Sequence, residues 1–147
     1  MKPDSRERGS AMVETAITLP ILLVLMVGIF EVGRAYETWQ VLTNAAREGA
    51  RIAVLPDTAA GDAEARVRQY LTAGQLKLAN DPSVTVTVDP NVDVAIGAGT
   101  AKASLVTVSY PFDFVVLQPV ARLLVSGSKV GEAITMKASA QMRNESQ

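Results

Sequence analysis

Residues 8–34 read RGSAMVETAITLPILLVLMVGIFEVGR. A short charged head meets an apolar run over residues 10–30, in which Glu14 is the one charged side chain. As a helix this run is about 31 Å long at 1.5 Å per residue, which matches a bilayer core of about 30 Å. A carboxylate at mid-depth in hydrocarbon costs about 2.5 kcal/mol or more, so an acid in such a run points to function. Pro20 and Gly28 are tolerated in membrane helices. Pro20 is expected to kink the helix locally, because it removes a backbone hydrogen bond and crowds the preceding turn.

Three readings of this stretch stay open on the residues alone. Glu14 stands five positions past Gly9, a spacing that resembles a type IV prepilin junction, where a membrane peptidase cuts between glycine and the next residue, here Ser10. The second reading is an uncut signal anchor. The third is a secretory signal peptide with residues 17–30 as its apolar region and Gly33-Arg34-Ala35 as the cut site. Glu31 and Arg34 crowd that third site, and the helical pattern runs straight through it. Their spacing of three allows an ion pair, but the preferred reading is that they are solvated helix-end charges. Lys2, Arg6 and Arg8 ahead of the helix favour a cytoplasmic N-terminus by a small margin.

The helical period continues past Arg34. Trp39, Leu42, Ala46, Gly49, Ala50 and Ala53 recur at steps of three and four, with Glu37, Gln40, Asn44, Arg47, Glu48 and Arg51 mostly on other faces. Pro56 ends the run. One helix from residue 10 to 54 would be roughly 67 Å long. Ala45, Ala46, Gly49, Ala50 and Ala53 make a smooth stripe, suited to packing within the chain or to a neighbouring subunit. Glu48 and Arg51 are spaced to pair, and with Arg47 form a solvated or domain-bracing charge cluster.

The rest of the chain is turn and strand. Residues 56–61 form a turn-rich linker. Asp62 is suited to cap a short helix over 62–73, stopped by Gly74, with Ala63, Val67, Tyr70 and Leu71 on its inner face. Alternating apolar and polar positions predict strands near 83–89, 102–110 and 133–142. Val84, Val86 and Val88, then Ser104, Val106, Val108 and Tyr110, then Ile134, Met136, Ala138, Ala140 and Met142 share one face. Residues 112–125 form an apolar connector, helical over 120–125, read as core packing under the sheet or as a subunit contact. The tail from Asn144 is expected to fray. The fold class is therefore α+β. A long N-terminal helix, membrane-spanning in its lower half and amphipathic in its upper half, packs on a small antiparallel sheet of about three strands with one short extra helix.

Composition narrows the chemistry. The 147 residues carry a net charge of −1, no His and no Cys. That removes the commonest general base and metal ligand and any disulfide. No basic stripe suggests nucleic acid. Asp89, Asn91 and Asp93 alternate like the start of a calcium loop, but that loop needs Gly where Val94 stands and Glu where Thr100 stands. A turn centred on Pro90 explains them. No Ser-x-x-Lys is present, and Gly97-Ala98-Gly99 is too short for a phosphate loop. No catalytic residue, metal or cofactor is expected, and the protein is read as a non-enzyme.

The motif Arg8-Gly9-Ser10-Ala11-Met12-Val13-Glu14, then Pro20, then Glu31 to Arg34, then Thr43-Asn44-Ala45-Ala46-Arg47-Glu48-Gly49-Ala50-Arg51 resembles the TadE-like family, pilin-like minor proteins of the tight-adherence (Flp-type) pilus. Ser109-Tyr110-Pro111-Phe112 and the closing strand, ending near Glu145, are similar to it more loosely. Thr15 departs from the family, which often has Phe there. The resemblance implies a leader over 1–9, a transmembrane helix over 10–33 and an extracytoplasmic domain over 34–147, with its helix over 34–54. It implies processing at Gly9 and Ser10, a register role for Glu14 in assembly, and packing or subunit contact at Ala46, Arg47, Glu48, Gly49, Ala50 and Arg51. The implied partners are a prepilin peptidase, other pilin and pilin-like subunits, the inner-membrane assembly platform and the lipid bilayer, with no nucleic acid. The implied location is the bacterial inner membrane, single-pass, with incorporation into the extracellular pilus.

Overall fold

The computed structural model describes residues 5–56, 58–97, 99–124 and 126–144. Residues 1–4, Asp57, Ala98, Val125 and the residues from Glu145 lie outside them. The architecture is α+β: a long N-terminal helix, two short helices and a three-stranded antiparallel sheet. Two compact units divide the chain. One holds the chain up to Arg34 together with Phe114–Glu132; the other holds Ala35–Asp113 and the chain from Ala133 onward.

Helix α1, Ser5–Ala53, contributes residues to both units, and Pro20 lies inside it. In the second unit its inner face is Thr38, Leu42, Ala45, Ala46, Gly49 and Ala50. Trp39 does not share that face, as the sequence pattern had suggested. It is 47% exposed, and its ring lies 6.4 Å from that of Tyr36. The slot on the inner face goes to Thr38, one position earlier, which is small enough to be covered there.

Helix α2, Ala60–Ala73, starts two residues ahead of the expected Asp62. The N-cap is Ala59, and Asp62 sits one turn in, where its carboxylate accepts the Ala59 N–H at 3.2 Å. The far end also differs from expectation. Gly74 keeps an ordinary φ of −76°, and Gln75 takes the left-handed conformation at φ +58°. The Gln75 N–H donates to Thr72 O at 3.0 Å and the Leu76 N–H to Leu71 O at 3.1 Å, the paired bonds of a Schellman ending. Glycine at position 74 answers to packing, because a Cβ there would lie 2.5 Å from Val41 Cγ1 on α1.

Strands β1 (Thr85–Ile96), β2 (Gly99–Phe112) and β3 (Ile134–Arg143) run in the order β1-β2-β3, both pairs antiparallel. A two-residue connection, with Gly97 at φ +60°, joins Ile96 to Gly99. β1 is longer than the sequence pattern predicts, because no turn forms at Pro90. Asp89 pairs with Leu105 and Val92 with Ala103, so Pro90 and Asn91 oppose Ser104 alone in a bulge. Proline fits there because β1 is an edge strand and a bulge leaves the missing N–H unneeded. The extra residue also shifts the phase of the strand. Val88 shares its face with Val106, whereas Val92 and Val94 share theirs with Ala103 and Ala101, on the opposite side of the sheet. Ahead of β1, Asp81 accepts the Ser83 N–H at 2.8 Å. Hydrogen bonds from the Ser83 side chain and backbone hold its carboxyl below the ordinary 3.8.

The core of the second unit joins Leu42, Ala45, Ala46 and Ala50 of α1 to Val67 and Leu71 of α2 and to Val84, Val106, Val108, Tyr110 and Ala138 of the sheet. The polar alternates Thr85, Thr87, Lys137 and Ser139 are exposed. Asn144 is anchored, contrary to the frayed tail expected. Its backbone N–H donates to Lys102 O at 3.0 Å and its Nδ2 to Pro90 O at 2.9 Å. Its Oδ1 accepts the hydroxyl of fully buried Ser104 at 2.8 Å.

After β2, Phe112 is buried at the strand's end, and residues 114–132 group with the chain up to Arg34 in the first unit. Their helix α3 is Leu117–Leu124 rather than 120–125. Pro119 falls in its first turn, where a missing N–H costs nothing.

Candidate functional site

Three groups of residues on α1 carry what the chain can do. The first is the N-terminal junction. Gly9, Ser10 and Glu14 are exposed on one helix. A Cβ at Gly9 would meet nothing within 4 Å, so nothing in the fold itself demands glycine there. Among the described residues the Glu14 carboxylate makes no hydrogen bond or ion pair; the Thr18 hydroxyl donates to Glu14's backbone oxygen at 2.9 Å. Thr15 likewise donates back to Ala11 O at 2.8 Å. Both hydroxyls are thereby satisfied inside the helix, which lets them sit in an apolar band. Met12, Val13, Ile17 and most apolar side chains up to Phe30 are exposed. α1 is long and apolar enough to cross a membrane, and is compatible with a single-pass anchor.

The second group sits at the top of that band. Glu31 is 0% exposed, which corrects the reading of Glu31 and Arg34 as solvated end charges. One carboxylate oxygen accepts Arg34 Nη1 at 2.7 Å and the other accepts the Val116 backbone N–H at 2.6 Å. Val116 is the N-cap of α3, since its carbonyl accepts the Val120 N–H at 3.1 Å. A negative charge at a helix N-terminus is favourable, because the unpaired N–H groups and the helix dipole point toward it. Both charge and geometry are therefore met, and the pair holds residues 114–132 against the helix. A spacing of three made the ion pair legible in the sequence; the amide 85 positions away left no signal there.

The third group is the small-residue face and its charges. Ala45, Ala46 and Ala50 are fully buried within this chain. A Cβ at Gly49 would collide with Val67 Cγ2 and lie 3.2 Å from Val106 Cγ1. The stripe thus brings α2 and the sheet close to α1. Arg47 is exposed. Glu48 pairs weakly with Arg51, at 3.8 Å, and more closely with Arg66 of α2, whose Nη2 and Nε lie 2.8 and 3.1 Å from one oxygen. Sequence reading found the first partner and missed the second, which lies 18 residues away on another helix. Arg68 braces α2 in the same way, donating to Glu64, to Ala79 O at 3.1 Å and to Val84 O at 3.3 Å. Asp93, read with Asp89 and Asn91 as a calcium-loop start, lies 2.7 Å from Lys102 Nζ. Among the described residues no group of three or more acidic, His or Cys side chains could hold a metal.

No curated protein and no solved structure matches the chain. The matched family model ends before the stretch of looser resemblance over 83–145. Residues 9–51, which hold Gly9 and Glu14, the helical side of the Glu31 clamp and the small-residue face, match the family model described as TadE-like protein.

Proposed function

We propose that this protein is a minor, pilin-like subunit of a tight-adherence pilus, cut by a prepilin peptidase after Gly9 and held in the inner membrane by α1 until assembly. It is a substrate of that peptidase, not an enzyme. The observation that carries the reading is the TadE-like match over 9–51, with Glu14 on an exposed apolar helix and, among the described residues, without a side-chain partner. Hydrolysis of the bond between Gly9 and Ser10 creates an ammonium on Ser10. Glu14 stands one helical turn further on, within reach of its own Ser10 or a neighbour's. A buried ammonium and carboxylate offset each other's desolvation, while either alone is costly, so pairing across subunits acts as a register device. The leader's side chains sum to +1, so the mature chain carries −2.

The packing of Glu31 and Arg34 supports readings that keep the helix on the mature protein. A secretory cut after Ala35 removes both partners of the connector. It leaves open a second reading, an uncut, permanently anchored scaffold of the pilus machinery. Intact mass and N-terminal sequencing of protein from the host's membranes separate these. A chain starting at Ser10 is the expected result. A start at Tyr36 overturns the pilin reading, and an uncut chain transfers it to the scaffold.

A further inference from the structure

The upper end of the apolar helix has a second apolar element beside it. Glu31, one position past the end of the apolar run 10–30, holds the Val116 amide at 2.6 Å. If residues 10–30 fill the bilayer core, α3 begins at the edge of the hydrocarbon, where headgroups start. Gly131 packs against the backbone of Gln118, where a Cβ would lie 2.6 Å from Gln118 N. Val130 is thereby held at the same end of α3 as Val115. These two valines are 59% and 56% exposed, next to a helix whose Ile29, Phe30 and Val32 are exposed too. The charges of residues 114–132 are Arg122, Lys129 and Glu132, a net +1, all exposed.

From this geometry we propose that residues 114–132 lie in the outer headgroup layer of the bilayer, with Val115 and Val130 dipping toward the acyl chains and Arg122 and Lys129 meeting lipid phosphates. The inference rests on the reading of α1 as a membrane anchor. Val115 and Val130 are exposed in the same unit as the exposed apolar side chains Ile29, Phe30 and Val32 of α1. The adjoining cations complement anionic lipid, and such mixed apolar and basic surfaces partition into the interface. A second copy fits less well, because two exposed valines fall far short of the roughly 800 Å² per partner of a stable interface. Glu31 then has a specific part: it fixes this element at the correct depth on the helix.

The chain has no cysteine, so single Cys variants report cleanly. The full chain is reconstituted in vesicles of phosphatidylethanolamine and phosphatidylglycerol, with an environment-sensitive fluorophore at Val115→Cys, Val130→Cys, Leu22→Cys or the outward-facing Thr87→Cys. The expected result is severalfold stronger quenching by nitroxide-labelled lipids, and severalfold weaker quenching by iodide, at Val115 and Val130 than at Thr87. If both valine sites behave like Thr87 while Leu22 reports lipid, the inference is overturned and the anchor stands. If both sites are shielded from either quencher while Leu22 reports lipid, protein covers them and the inference is again overturned. If Leu22 itself reports water, the anchor reading fails and takes the inference with it.

Discussion

Glu31 and Val116 stand 85 positions apart, yet the carboxylate of one holds the backbone amide of the other at 2.6 Å. The bond closes a long loop onto a helix whose neighbouring side chains are lipid-like. It places Glu31, among the described residues the one buried acid of α1, against a helix N-terminus and a guanidinium. Replacement by alanine leaves a donor without its partner, at a cost of about 1–3 kcal/mol.

Glu31→Ala is therefore expected to loosen residues 114–132. Amide hydrogen exchange at Val116 and through α3 should quicken by about tenfold or more, since 1.4 kcal/mol corresponds to a factor of ten. Glu31→Gln keeps an acceptor for the amide and should fall between. Unchanged exchange in Glu31→Ala means the clamp does not hold the connector.

Gly49 and Gly61 make a matched pair. A side chain at Gly49 runs into Val67, whereas one at Gly61 meets nothing within 4 Å. Gly49→Ala should destabilise the second unit by about 1–3 kcal/mol through overpacking. Gly61→Ala should be neutral or stabilising by up to about 1 kcal/mol, because it restricts the unfolded chain. Thermal unfolding of the full chain in detergent checks both; equal Tm values for the two variants contradict the close helix approach.

Asn144 ties the bulge to the core. Asn144→Ala removes one of two acceptors of the buried Ser104 hydroxyl and the donor to Pro90 O, with an expected loss of about 1 kcal/mol or more. The Ser104 hydroxyl can still donate to Ala53 O at 3.2 Å, so Ser104→Ala should remove only the part of that loss that runs through its bond to Asn144. The two losses in a double-mutant cycle should not add; strict additivity would show that the residues act separately.

Gly9 and Glu14 test assembly without testing folding. Neither side chain position is packed against the rest of the chain. Gly9→Val should abolish release of the leader while leaving the melting curve unchanged. Glu14→Ala should be cut normally and fail to enter pili, scored by N-terminal sequencing and by surface pilus counts. Normal piliation of Glu14→Ala cells sinks the register role.

The sequence by itself determined most of what rests on local period, Trp39 excepted. An unbroken apolar run at helical spacing made α1, and Pro56 stopped it. Alternation made Val86 and Val88 one face of β1, and small residues at steps of three and four predicted the close face at Ala46, Gly49 and Ala50. Gly9 and Glu14 stand at a fixed offset along one helix, as their spacing in the sequence predicts.

Only the tertiary structure decided relations between distant positions and phase shifts within an element. Pro90 and Asn91 form a bulge because Ser104 stands opposite them, and that moved Val92 and Val94 to the other face while the letters kept alternating. Gly74 is glycine because Val41 lies against it, so the left-handed turn fell to Gln75. Glu48 found Arg66, and Glu31 found the Val116 amide, through chain returns that no period encodes. A buried carboxylate looks the same in sequence as a solvated one. What separates them is the donor that arrives from elsewhere in the fold.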